Sequence, residues 1–195
     1  PRTIIGLMSG TSLDGLDIAL CEVSGHDLST SLSVIRFTSI NYTTDFLSIV
    51  RPIFSNPNAT LDKITHANAW IAREQARMVN AVLQEWDIDS VDVDILASHG
   101  QTIFHSPNSI VLANGSKQIL ASSTLQICDG DHLAYLTQIL TVSDFRQKHI
   151  AALGEGAPLV PYADFLLFSN PQENRILVNI GGIANYTYIP ANGTF

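Results

Sequence analysis

Charge is scarce in this chain. Of its 195 residues only 14% are Asp, Glu, Lys or Arg, and 10 basic residues stand against 18 acidic ones, a formal net charge of −8. A phosphate backbone or an anionic membrane surface needs a basic footprint, so this balance argues against a general nucleic-acid or membrane-surface binder. Cysteine is nearly absent. Cys21 and Cys128 lie far apart, make no disulfide framework and suggest a reducing compartment. No apolar run approaches the roughly 18 residues of a membrane span, and no charged n-region with an apolar h-region opens the chain. A cytoplasmic location is the expectation. Low-complexity tracts and charge runs are also missing. What is abundant is apolar side chain, at 46%, which excludes disorder as the main state. The length suits one good-sized core or two small ones. The chain starts at Pro1, not Met, and stops at Phe195 just after an apolar run.

Hydrophobic patterning places the elements. Thr3 to Met8 reads as a buried strand, Ser9 to Gly15 as a small, polar, glycine-bearing turn, and Leu16 to Val23 as a strand paired back on the first. Leu32 to Ile40 alternates and makes a third strand. From Leu61 to Trp86 the apolar residues recur at spacings of three and four, which predicts an amphipathic helix of about seven turns. Thr60 suits its N-cap and Asp62 the positive end of its dipole. Val93 to Ala97 reads as a short buried strand followed by Ser98-His99-Gly100-Gln101-Thr102. Asn114-Gly115 predicts a hairpin turn. Beyond it come a strand at Leu125 to Ile127, a short helix over Asp129 to Gln138 capped by Asp129 or Asp131, a strand at Ile139 to Val142, a loop from Ala151 to Pro161, and a helix from Tyr162 to Phe168. Arg175 to Ile189 reads as two strands joined at Gly181-Gly182. Three strands before the first helix, then mixed elements, predict an α/β layer fold with a mixed sheet. The strand-into-glycine-turn pattern of Ile4 to Gly10 is echoed at Leu177 to Gly182, which predicts an internal repeat whose second copy has only begun.

Several segments carry chemistry. In the turn after the first strand, glycines free backbone N–H groups to face an anion and Thr11 and Ser12 add hydroxyls, so it can cradle terminal phosphates; a plain hairpin turn is the structural alternative. It is not a P-loop, because the lysine of that motif is missing. Asp14 and Asp17 are hard oxygen ligands suited to Mg²⁺. His99 and Gln101 follow a buried strand, where α/β sheets place ligands, and could bond sugar hydroxyls; a satisfied structural histidine is the plainer reading. Asp144 and Arg146 form either a ligand site or an internal ion pair. Gly154 to Pro158 is a flexible loop able to approach a ligand closely. Cys128, His132, His99 and His105 match no close-paired zinc spacing, and no G-x-S-x-G hydrolase elbow is present.

Gly6-Leu7-Met8-Ser9-Gly10-Thr11-Ser12-Leu13-Asp14-Gly15-Leu16-Asp17 closely resembles the opening signature of bacterial anhydro-N-acetylmuramic acid kinases. The resemblance continues through Ser98 to Thr102 with His105, Leu125-Gln126-Ile127, Ser143-Asp144-Phe145-Arg146, Gly156-Ala157-Pro158-Leu159-Val160-Pro161 and Asn179 to Asn185. It implies an actin/hexokinase/Hsp70-like (ribonuclease H-like) lobe, with residues 1–175 as the N-terminal lobe and 176–195 as the start of a second, truncated one. It implies ATP-dependent phosphorylation, with Mg²⁺, of O6 of 1,6-anhydro-N-acetylmuramic acid while water opens the ring at C1, in peptidoglycan recycling. On the matching positions, Gly10, Thr11, Ser12, Leu13, Asp14, Gly15, Leu16 and Asp17 would bind ATP phosphates, with Gly181 and Gly182 opening the second phosphate loop. His99, Gln101, Asp144 and Arg146 would lie on the sugar side. Asp14 and Asp17 would serve Mg²⁺. The implied partners are ATP and the anhydro amino sugar, with no nucleic acid and no membrane, and a homodimer is compatible. The family's catalytic Asp, in a D-[TC]-G-P-G-N motif, is expected beyond Phe195, so this chain alone is expected to be inactive. Alternatives are a non-catalytic nucleotide- or sugar-binding lobe, or a same-fold kinase with another substrate. Departures from the pattern are Leu153-Gly154-Glu155-Gly156 for G-G-Q-G, Gln147-Lys148-His149 for an Arg-rich run, and Cys128 for a usual glycine.

Overall fold

A computed structural model describes residues 1–107, 110–111, 117–118, 122–180, 184–191 and 193. The expected Asn114-Gly115 turn lies outside these residues. Three antiparallel strands open the chain: β1 (Arg2–Ser9), β2 (Gly15–Ser24) and β3 (Ser31–Asn41). Then come α1 (Thr44–Val50), α2 (Leu61–Trp86) and the long strand β4 (Ile95–Ser106). Two-residue strands β5 (Ile110–Val111) and β6 (Lys117–Gln118) pair with each other. The order continues with β7 (Ser123–Ile127), α3 (Gly130–Thr137), β8 (Thr141–Ser143), α4 (Phe145–Ala151), α5 (Pro161–Phe168), β9 (Arg175–Ile180) and β10 (Ala184–Ile189).

Alternation in the first two strands decides how the lobe is layered. Ile5, Leu7 and Ser9 in β1, and Leu16, Ile18 and Leu20 in β2, point to one face and are buried. Helix α2 turns Ile71, Ala72, Ala76, Val79, Val82 and Leu83 into the same core. Each such Ile, Leu or Val side chain removed from water contributes about 1.5–3 kcal/mol. On the opposite face Met8, Phe37 and Val142 are exposed. Thr60 is the N-cap of α2, as expected, but its side chain makes no cap bond. Asp129, not Asp131, caps α3, its carboxylate accepting from His132 N at 2.9 Å.

The strands run in the order β3-β2-β1-β4-β7, with β8 also on β4. Strand β1 lies parallel to β4, because α2 carries the chain back across the sheet. Along its other edge β4 changes partner: Leu96 to Ser98 pair with β8 in parallel, and Gln101 to Ser106 pair with β7 antiparallel. Gly100 stands at the change, with φ +72°, and a Cβ there would come 2.9 Å from the Ile127 carbonyl oxygen. The expected end of this strand at Ala97 is therefore a kink within it. This mixed α/β sheet is the lobe that the resemblance implies. A separate hairpin, β9–β10, rests on α5, where Thr187 Oγ1 donates to Asp164 Oδ2 at 2.6 Å.

Candidate functional site

The carboxyl ends of the parallel strands β1, β4 and β8 meet at one end of the sheet, the place where α/β sheets bind ligands. The turn after β1 closes when Leu13 N donates to Gly10 O at 3.3 Å, with Leu13 at φ +56° and its side chain buried as an anchor. Thr11, Ser12 and Asp14 remain exposed above it. Asp14 Oδ1 accepts from Ser12 Oγ at 2.8 Å and from Gly15 N at 3.0 Å. The Ser12 bond first, then the backbone bonds, hold its carboxyl below the usual carboxylate range, so it is ionised at neutral pH. Asp17 lies in β2 on the outer face of the sheet and accepts from Ser39 Oγ. Among the described residues no three His, Cys, Asp or Glu side chains gather as metal ligands. The expected second phosphate turn, Gly181-Gly182, lies outside the described residues.

Beside this turn is a polar cavity of about 180 Å³, lined by Asn68, His99, Gly100, Gln126, Cys128, Asp129, Gly130, Ser143 and Asp144. His99 and Asp144, singled out from sequence, thus share one pocket. Arg146 reaches its edge through His99. The His99 ring is buried, and Nδ1 bonds the Gly100 carbonyl at 2.8 Å. A carbonyl only accepts, so Nδ1 carries the proton, and Nε2 is free to accept from Arg146 Nε at 3.0 Å. The ring is neutral. Burial first, then the Arg146 charge, depress its pKa. Partial burial pushes the Asp144 carboxyl the other way, upward. Gln101 goes elsewhere: fully buried, its amide donates to Gly10 O at 3.3 Å, under the turn after β1 and outside the lining of the polar cavity.

Arg146 Nη1 donates to Gly156 O at 2.6 Å, so it ties the 154–156 loop to His99. Two of the departures from the family pattern strengthen this tie. Gln147 Nε2 donates to Thr124 O at 2.8 Å, and His149 Nδ1 accepts from Gly156 N at 3.1 Å. Sequence reasoning missed Asn68, whose Oδ1 accepts from Cys128 N at 2.9 Å and fixes the pocket wall. The available signal was a polar residue seven before Gln75 on the inward side of an apolar helix.

His99 gives a pH signature. Its folded pKa lies below the ordinary value of 6.5, so the unfolded chain takes up a proton that the folded one resists. The stability it contributes is complete above about pH 6.5 and is lost as pH falls below that, at most about 1.4 kcal/mol per pH unit. The urea midpoint is expected to drop between about pH 7 and pH 5.5, and to drop less in His99→Gln. Equal drops would show that His99 takes no part.

The family model described as anhydro-N-acetylmuramic acid kinase matches residues 2–194. The chain is 48% identical over 191 residues to the curated anhydro-N-acetylmuramic acid kinase of Pseudoalteromonas atlantica, covering 98% of this chain and 47% of that protein. It is 47% identical over 192 residues to that of Pseudoalteromonas translucida, with 98% and 47% covered. To that of Caldanaerobacter subterraneus it is 39% identical over 193 residues, with 99% and 48% covered. The chain therefore spans about half the length of the curated relatives it matches.

Proposed function

The chain belongs to the anhydro-N-acetylmuramic acid kinase family, and on that premise we propose that the whole protein uses ATP to phosphorylate 1,6-anhydro-N-acetylmuramic acid at O6 while water opens the ring at C1. The water oxygen goes to C1. The freed bridge oxygen takes the γ-phosphoryl group, giving N-acetylmuramic acid 6-phosphate and ADP. One observation carries this reading: an open turn with an ionised carboxylate and a polar pocket both lie at the carboxyl ends of β1, β4 and β8. Residues 1–175 would form the lobe that holds both, and 176–195 would open the second lobe, a division supported by the separate β9–β10 sheet.

The turn fits nucleotide phosphates. A Cβ at Gly10 would meet nothing nearer than Ser12 Oγ at 3.4 Å, so phosphate oxygens have room to approach the backbone. Thr11 supplies a hydroxyl beside the backbone amides of the turn, whereas the Ser12 proton is already given to Asp14 Oδ1. The bonds from Ser12 Oγ and Gly15 N both end on Oδ1 of Asp14, so Oδ2 is the oxygen that would face a hydrated cation. Mg²⁺ bound there would neutralise charge building on the transferred phosphoryl group. The carboxyl of Asp144 would bond sugar hydroxyls, while His99, its two ring nitrogens engaged by Gly100 O and Arg146 Nε, would shape the pocket wall. Gln101 would position the turn from below.

The test is the full-length protein with ATP, Mg²⁺ and the anhydro sugar. A product heavier by one water and one phosphoryl group, formed one for one with ADP, is expected; residues 1–195 alone are expected to give none. ATP binding without any phosphosugar would overturn the reading in favour of a non-catalytic nucleotide-binding lobe.

A further inference from the structure

Beneath the phosphate turn runs a line of buried polar side chains, of which the kinase reading uses only Gln101. Cys128, Gln75, Tyr42, Ser9 and Gln101 are each at most 8% exposed, in a region otherwise filled by aliphatic side chains. Consecutive members are in hydrogen-bond contact: Cys128 Sγ with Gln75 Oε1 at 3.2 Å, Gln75 Nε2 with Tyr42 OH at 3.2 Å, Tyr42 OH with Ser9 Oγ at 2.7 Å, and Ser9 Oγ with Gln101 Oε1 at 2.5 Å. Gln101 Nε2 completes the line on Gly10 O at 3.3 Å.

One atom fixes the direction of every bond. The Gly10 carbonyl can only accept, so the Gln101 atom facing it is the amide nitrogen, and the oxygen Oε1 faces Ser9. Ser9 has a single proton and gives it to that oxygen, so Tyr42 must donate to Ser9. The Tyr42 oxygen then accepts, so it faces the Gln75 nitrogen, and the Gln75 oxygen is left to accept from the Cys128 thiol. Burial pushes both the Tyr42 phenol and the Cys128 thiol up to about 12, so both keep the proton that the line requires. The result is an unbroken donor chain with no alternative polarity. It starts in the wall of the polar pocket, where Cys128 sits at φ +124°, and ends on the carbonyl that closes the phosphate turn.

We propose that Tyr42 and Gln75 are positioning residues that hold the Gly10–Asp17 turn in register for nucleotide phosphates and tie it to the Cys128 wall of the sugar-side pocket. The proposal rests on the kinase reading for the identity of the two ligands. A buried network of this kind has one low-energy arrangement: removing an inner member strands a donor on one side and an acceptor on the other, and removing the Cys128 thiol strands the Gln75 oxygen.

Tyr42→Phe is the clean break, because the ring still stacks on Phe46 at 3.6 Å and only the hydroxyl is lost. In the full-length protein we expect the KM for ATP, and the ATP dissociation constant by calorimetry, to rise about tenfold, the worth of one buried hydrogen bond. The KM for the anhydro sugar should stay within about twofold. Cys128→Ala keeps the same Cβ and loses only the thiol. It should raise the ATP constants in the same direction although it sits in the sugar-side wall, and Cys128→Ser should recover part of the loss. A merely structural role would lower kcat and leave both KM values alone. That result, or a Cys128→Ala effect confined to the sugar, would overturn the proposal. Should the wild-type protein make no phosphosugar, the kinase reading falls while the calorimetric ATP constants still decide this one.

Discussion

Asp14→Asn in the full-length protein is expected to lower kcat about a hundredfold while leaving the fold intact, the usual cost of removing one preorganised electrostatic group from a phosphoryl-transfer site. The substitution is nearly isosteric. The Asn oxygen can still accept from Ser12 Oγ and Gly15 N, the two bonds that Asp14 Oδ1 holds, so the turn keeps its shape and loses one negative charge. That charge is present in the wild type, since the Ser12 bond and the backbone bonds keep the carboxyl ionised. The side chain is exposed, so stability should hardly move, and the urea midpoint serves as the control. Asp17→Asn makes the comparison. Asp17 is the other carboxylate of the signature, but it lies on the outer face of β2 and is engaged with Ser39 of β3. A smaller loss is expected there. Activity of Asp14→Asn within about threefold of wild type would remove Asp14 from the phosphate site.

Much of this lobe was readable from the sequence because its elements are long and periodic. Strands β1 and β2 and helix α2 carry enough apolar pattern to fix both type and buried face, whereas β3 shows its type but buries no residue, Leu32, Val34 and Phe37 being exposed. Helices α1 and α4 were not, for they span only seven residues each, and one or two apolar contacts leave no period to detect. The kink of β4 was hidden for another reason. Ser98 to Thr102 is polar with a glycine and reads as a loop, yet Ser98, His99, Gly100 and Gln101 are buried. Their polar groups are satisfied by neighbours distant in sequence, Arg146, Ser9 and Gly10 among them, and a pattern of hydrophobicity cannot report such partners. The same blindness concealed Gln75 and Asn68. On an amphipathic helix a polar residue is taken to face water, and these two face the core side instead. His99 and Asp144 were found because each follows a strand at the end where ligands bind. Gln101 follows the same strand, but the positive φ of Gly100 sends it under the turn.

The two glycines that bound the proposed phosphate turn should behave in opposite ways. Gly15→Ala is expected to destabilise the protein by about 3 kcal/mol, at the upper end of what overpacking costs. A Cβ at Gly15 would stand 2.4 Å from the Ile40 carbonyl oxygen and 3.2 Å from Asn41 Cα. Both obstacles are backbone of β3, so no side-chain rotation relieves the clash. Relief would need β3 to swing away from β2 just where Gly15 pairs with Asn41 and Tyr42 N donates to Asp14 O at 3.0 Å. That movement would carry off the main-chain support of Asp14 and displace Tyr42, the middle member of the buried line, so activity should fall with stability. Gly10→Ala meets only Ser12, its Oγ at 3.4 Å and its N at 3.9 Å, which is ordinary contact. Its unfolding midpoint should match wild type within the half kilocalorie or so typical of surface changes, while its KM for ATP rises because the methyl group occupies the space open to phosphate. Urea unfolding and steady-state kinetics on the two variants of the full-length protein separate these effects. A stable Gly15→Ala variant would mean that β3 yields freely at this edge. A Gly10→Ala variant with unchanged ATP kinetics would mean that phosphates approach the turn from another side.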